Sequence, residues 1–390
     1  MNLRQGRASF ELISVCMIGI VLSAAQLLAA QEQSPAQLRL NALSLEQTGQ
    51  NAAAEEIWSA ISKADPANAE ALAHLGLLEA RQQHYETAVD YYRRALAIQP
   101  DLPGLQMNLG LTLFKAAQFP FAIQSFSSEL KKHPGDLRLT TLLGMAHYGT
   151  KDYLVAIPFL QRALENDPVN LTLRTTLAHS CLWSRQYQCV VKLQEEAQAL
   201  NAESADLDMI SAEAFDRLQD DAAALKKLQA AVNANPKEPN VHFALGYLLW
   251  TQANWAAAAN EFDLELQNDP GNLKAQTYRA DSWVRQLAFE IALPEVERLA
   301  SANPSEPLVH LDLGIVAANA ARREDAIREL KVAIESDPND PEPHLQLANL
   351  YRSFGKADEA SAEIAKAKKL PPATHPSLQE MLDSIENPAP

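Results

Sequence analysis

Apolar residues recur at three- and four-residue intervals along most of this 390-residue chain, the spacing of one face of an α-helix. Short polar turns interrupt the pattern, and the interruptions are themselves regular. Prolines stand at 66, 100, 134, 168, 236, 270, 304, 338 and 372. Successive gaps are 34 residues, apart from 168 to 236, which is twice 34 with Ala202 at the midpoint. Most of these prolines follow Asp, Asn, Gln or His, and such X-Pro pairs end one helix and start another. Ten units then run from residue 35 to residue 374. Their eighth position is always small, from Ala42, Gly76, Gly110 and Gly144 to Gly246, Gly314 and Ala348. The twentieth is alanine in nine of the ten, with Val190 the exception. Small residues at these two places let a pair of antiparallel helices approach closely, and larger ones such as Leu75, Tyr85 and Tyr92 fill around them. The predicted fold class is all-α. A 34-residue hairpin is too small to bury its own core, so each unit depends on its neighbours.

The run Ala71-Leu72-Ala73-His74-Leu75-Gly76, followed by Tyr85, Ala88, Tyr92, Ala95 and Pro100, resembles the helix–turn–helix signature of the tetratricopeptide repeat family. The resemblance implies a right-handed α-solenoid of ten repeats over residues 35–374, with no insertion. Ser34-Pro35 reads as an N-cap followed by proline at the first helical position. Residues 375–390 read as a capping helix and tail. Ser377-Leu378-Gln379-Glu380 has the form of a capping box, and Leu378, Met381, Leu382 and Ile385 follow at i, i+3, i+4 and i+7. The expectation is a helix over 377–386 covering the last repeat.

In that family the first helix of each repeat lines the concave surface, chiefly at positions 2, 5, 9, 12 and 13. Carried onto this chain, those positions hold Met107, Leu111, Phe114, Met145 and Tyr148 in repeats three and four. In repeats five to seven they hold His179, Leu182, Trp183, Met209, Phe243, Tyr247 and Trp250, with Asp206, Glu213 and Asp216 among them. Methionine and aromatic side chains are adaptable, high-payload residues of binding surfaces. The expected partner is therefore a protein or peptide with apolar anchors and some basic groups. The alternative is that these side chains pack only on adjacent first helices. The family's carboxylate clamp needs lysine at position 5 and asparagine at position 9. Here position 5 holds Arg39 once and no lysine, and position 9 holds asparagine only at Asn349. A clamp for chaperone tails is disfavoured.

The first thirty residues differ from the rest. Arg4 and Arg7 precede an apolar core, Leu12–Leu22, and small residues follow at Ser23, Ala24 and Ala25. This is the order of an export signal, with an uncleaved anchor as the rival, since residues 12–30 approach the roughly 20 a spanning helix needs. Both readings place the repeats outside the cytoplasm, in the periplasm or beyond. The formal net charge of −16 argues against nucleic acid, whose phosphates need a basic patch.

Candidate chemistry is sparse. There is no Gly-rich phosphate loop, CxxC pair, HExxH or nucleophile elbow, so neither an enzyme nor a cofactor is expected. His242, His310 and His344 recur at position 4 of repeats seven, nine and ten. Their helices stack too far apart for one metal ion, and packing is the expected role. Cys181 and Cys189 fall on opposite helices of repeat five. Two buried thiols are expected there, although a disulfide is feasible in an exported protein. Glu129 and Glu265 replace a small residue at position 27, with Arg138, Lys274 and Arg279 nearby, which predicts ion pairs across those two repeat junctions. The function class expected is a protein-binding scaffold. The alternatives are a structural spacer or a carrier of a small apolar ligand.

Overall fold

In the computed structural model residues 34–372 and 375–386 are described, and they form 21 helices with no strand among the described residues. The expected signal, residues 1–30, and the tail 387–390 lie outside the described residues. The first five hairpins are α1 (Pro35–Gln47) with α2 (Asn51–Ala64), α3 (Ala69–Arg81) with α4 (Tyr85–Ile98), α5 (Leu105–Lys115) with α6 (Phe119–Lys132), α7 (Leu137–Gly149) with α8 (Tyr153–Asn166), and α9 (Leu171–Trp183) with α10 (Tyr187–Leu200). The next five are α11 (Ala205–Arg217) with α12 (Asp221–Ala234), α13 (Val241–Thr251) with α14 (Trp255–Asn268), α15 (Leu273–Arg285) with α16 (Phe289–Ala302), α17 (Pro307–Asn319) with α18 (Arg323–Ser336), and α19 (Pro341–Ser353) with α20 (Ala357–Ala367). A short helix, α21 (Leu378–Glu386), follows. The expected all-α stack of helix hairpins is the fold observed.

Local chemistry explains the boundaries. Asn68, Asn170, Ser204 and Asn272 cap first helices, their side-chain oxygens accepting from backbone N–H groups at 2.9–3.2 Å. Within each hairpin the turn is made at position fifteen, where φ lies between +55° and +76° in all ten repeats. Only Gly49 and Gly355 are glycines there. Gln83, Lys151 and Leu287 adopt the same left-handed conformation because closing the hairpin demands it.

The small eighth position also has a direct cause. A Cβ on Gly110 would lie 2.5 Å from the Phe126 ring, and one on Gly246 would lie 2.8 Å from Phe262. Those rings stand at position 24 of the repeat, on its second helix, and fill the space that the missing side chain leaves.

Two compact units divide the chain within α8, one ending at Ala163 and the other beginning at Leu164. The first is built around Trp58, Leu72, Tyr92, Leu105, Phe126 and Leu139. In the second, one cluster gathers Leu228, Phe243, Tyr247, Trp250 and Phe262, and others follow around Val296 and Leu330. In the first unit α2, α4 and α6, and in the second α10, α12, α14, α16 and α18, each pack on the first helix of their own repeat and on that of the next.

Three expectations need correction. Cys181 and Cys189 are joined in a disulfide, with their Cα atoms 6.0 Å apart, because the hairpin of repeat five sets positions 11 and 19 face to face. Glu265 pairs with neither Lys274 nor Arg279. It turns inward and accepts from the Phe243 N–H at 3.1 Å, a first-turn donor of α13, whose N-cap residue Asn240 makes no side-chain cap bond. Lys274 pairs instead with Glu306 at 3.4 Å, and Arg279 with Asp263 and Glu295 at 2.8 and 3.0 Å. Likewise Arg138 is held by Asp136 at 2.9 Å, while Glu129 lies near Lys132 and His133. Finally, α21 does not lie over the last repeat. It packs on α11 and α13, the first helices of repeats six and seven.

Candidate functional site

The residues expected to face a partner fall in both units. In the first, Met107, Leu111 and Phe114 on α5 and Met145 and Tyr148 on α7 are half-buried. The α5 trio packs against the core cluster, with the Phe114 ring edge-on to Phe119 at 5.4 Å. Tyr148 stands edge-on to Tyr153 at 5.7 Å. These side chains divide their surface between core and solvent. In the second unit Trp183 is half-buried and stacks on His179 with centroids 4.8 Å apart. Met209 and Glu213 on α11 are buried, and Phe243, Tyr247 and Trp250 on α13 are only 0%, 1% and 3% exposed.

The cover over α11 and α13 is the chain's own C-terminal segment. Leu378, Met381 and Leu382 enter one apolar cluster with Met209, Phe243, Tyr247 and Trp250, and Ile385 packs at its margin. Polar contacts fix the register. The Leu378 N–H donates to Asp216 Oδ2 at 2.9 Å, the Tyr247 hydroxyl donates to the Pro376 carbonyl at 2.6 Å, and Arg217 pairs with Glu380 at 3.1 Å. Both halves of the capping box form, Ser377 N to Glu380 Oε2 at 2.9 Å and Glu380 N to Ser377 Oγ at 3.3 Å. Burial raises the Asp216 pKa and pushes the Tyr247 hydroxyl well above its ordinary range. A carboxylate here meets the positive end of a helix dipole, a charge supplied by backbone and not by a basic side chain.

Beneath this face lies a polar floor that sequence reasoning missed. Tyr278 on α15 stands edge-on to Tyr247 and Trp250 at 5.3 and 4.9 Å. The Trp250 indole N–H donates to Asp281, to which Arg285 is paired at 3.1 Å. Arg285 also forks onto Glu342 at 2.8 and 3.0 Å. Asp312 on α17 is buried like Asp281, and neither of its carboxyl oxygens has a hydrogen-bond partner among the described residues. Burial raises both carboxyl pKa values, that of Asp312 far above the ordinary range and further through the Asp281 charge. Burial therefore favours the protonated form of Asp312, while Arg285 pairs with Asp281. Asp281, Arg285 and Glu342 occupy positions 9, 13 and 2 of their repeats, so the positional rule could have found them. Asp312, at position 6, lies outside it.

The recurrent histidines take a repeated partner. Nδ1 of His242, His310 and His344 lies 2.7, 2.9 and 2.6 Å from Glu261, Glu329 and Glu363, each nineteen residues on. Among the described residues no group of three or more His, Cys, Asp or Glu is placed to hold a metal ion. Nor is any helix among them long and apolar enough to cross a membrane.

Helix hairpins in tandem, with a first-helix face that seats another helix, define a helical-repeat protein. The tetratricopeptide repeat family model matches residues 39–103, 107–170, 211–273 and 279–341, more than half of the chain, and the chain belongs to that family. It is 30% identical over 137 residues to the TPR repeat-containing protein YpiA of Bacillus subtilis (strain 168), covering 35% of this chain and 32% of that protein. It is 24% identical over 197 residues to the BBSome complex member BBS4 of Bos taurus, covering 50% and 38%. The chain thus spans about a third of the length of these curated relatives. Among solved structures it is similar to MamA from Desulfovibrio magneticus RS-1, with a TM-score of 0.38 and 20% identity over 43% of this chain and 94% of that one.

Proposed function

We propose that the chain is a non-enzymatic, exported scaffold that binds protein segments on its first-helix face, in envelope assembly or secretion. One observation carries the reading: an amphipathic helix, α21, sits on α11 and α13 through apolar anchors, a capped N-terminus and an ion pair. The tetratricopeptide family supports protein binding as the general role. Basic and then apolar residues before residue 30 support action outside the cytoplasm. The partner brings apolar anchors. The positive charge that Asp216 receives is a helix N-terminus, in place of the basic side chains expected from composition.

A photo-crosslinking amino acid at Met145 or Trp183, both half-buried on first helices, tests this in the cell of origin. The expected result is one or a few defined adducts in the extracytoplasmic fraction. A chain that stays in the cytoplasm, or that yields no adduct from either position, contradicts the reading.

A further inference from the structure

The face made by α11 and α13 reads a particular kind of helix, and the resident helix states which. We infer that this face recognises a partner helix of the form Ser/Thr–apolar–x–acidic–apolar–apolar–x–x–apolar, and that α21 is a built-in competitor which the partner must displace. The inference rests on the scaffold reading above and adds the chemistry and the regulation of its binding face.

Each term of the pattern has a receptor in the structure. Ser377 starts the helix, Leu378, Met381 and Leu382 enter the apolar cluster, and Ile385 packs at its edge. Asp216 takes the N–H of the first helical residue and Arg217 takes the acid at the third. A base at that third position would face Arg217 and lose the pairing. The Tyr247 hydroxyl holds the carbonyl just before the helix.

Displacement is physically easy. The resident helix is nine residues long, below the roughly 12–15 at which an isolated helix becomes even marginal in water, so it is helical because it is seated. Pro371, Pro372 and Pro376 lie in stretches, 371–372 and 375–377, that are not helical. Departure would bare Met209, Phe243, Tyr247 and Trp250 together. A patch of that kind calls for another occupant.

The test uses the full chain and one probe, a fluorescein-labelled synthetic peptide with the sequence of residues 375–386. In a Leu378→Asp/Leu382→Asp chain the resident helix cannot seat. A tether holds its helix at an effective concentration on the order of 1 mM, so with a helix affinity of about 10–100 μM the double variant takes up the probe roughly 10- to 100-fold more tightly than the wild-type chain. A probe carrying Glu380→Lys binds several-fold more weakly, and Arg217→Glu in the receiving chain restores it.

Equal uptake by the two chains overturns the inference. So does no uptake by a double variant whose circular dichroism and melting temperature match wild type. Concentration-dependent dimers with the helix exchanged between copies would also overturn it, because the occupant would then be a second copy. The scaffold reading fails separately: cell crosslinks at Met145 and Trp183 can be lost while probe uptake persists, or persist while probe uptake fails.

Discussion

Replacing Asp312 with asparagine keeps the shape of the buried acid pair and removes its titration. In the native chain Asp312 and Asp281 are both fully buried, Arg285 is the paired cation, and the Trp250 indole donates to Asp281. Burial raises both pKa values, so the folded state keeps a proton that the unfolded chain releases above about pH 3.9. The sign follows. Stability from the retained proton is fully present below the unfolded carboxyl pKa and is lost as pH rises toward the folded one. Over the interval in which the folded state keeps that proton and the unfolded chain has lost it, the slope is about 1.4 kcal/mol per pH unit. For a unit the size of Leu164–Pro390, about 2–4 °C per kcal/mol makes this a fall of roughly 3–6 °C per pH unit over that interval. Asparagine is neutral at every pH in this range and has no proton to lose. Melting curves of both chains across pH 5 to 8 should therefore diverge, with the Asp312→Asn chain gaining on wild type as pH rises. Parallel curves, or a wild-type chain that gains stability over that range, would refute the retained proton.

Three further outcomes follow from the packing. Leu287 is 72% exposed with φ +59°, and a side chain in that conformation costs about 1–2 kcal/mol, so Leu287→Gly should raise the melting temperature despite the entropy of glycine. A lower one would mean that Leu287 packs in solution. Gly110→Ala puts a Cβ 2.5 Å from the Phe126 ring and should cost about 1–3 kcal/mol in urea titrations, with partial recovery in Gly110→Ala/Phe126→Leu. A neutral single variant would show that the two helices of repeat three can part freely. Glu265→Ala leaves the Phe243 N–H without its acceptor, a loss of about 1–3 kcal/mol. Lys274→Ala and Arg279→Ala should leave the Glu265 effect unchanged, because neither is its partner.

The repeats were legible because their period records a packing necessity: a large side chain at position 24, such as Phe126 or Leu330, forces a small residue at position 8, and a helix boundary favours proline. The left-handed turn at position fifteen was not, since Gln83, Lys151 and Leu287 carry no common signal and hairpin closure imposes the conformation. Helix α21 announced itself through Ser377, Glu380 and its apolar stripe. Its docking place did not, because a short stripe fits any apolar face, and only Asp216, Arg217 and Tyr247 together select one. Glu265 was misread for a similar reason. A buried carboxylate needs donors, and the N–H groups of a helix start serve as well as a base. The acid pair stayed hidden because it joins position 9 of one repeat to position 6 of the next.

Trp250 reports on the central claim, since its ring meets His375 at 4.5 Å and its N–H meets Asp281. The measurement is fluorine NMR of the chain labelled with 5-fluorotryptophan, with the Trp250 line identified by its loss in Trp250→Phe. That line should move in the Leu378→Asp/Leu382→Asp chain and return toward its wild-type position when the 375–386 peptide is added. A Trp250 line that ignores the double substitution would contradict a helix seated on α11 and α13.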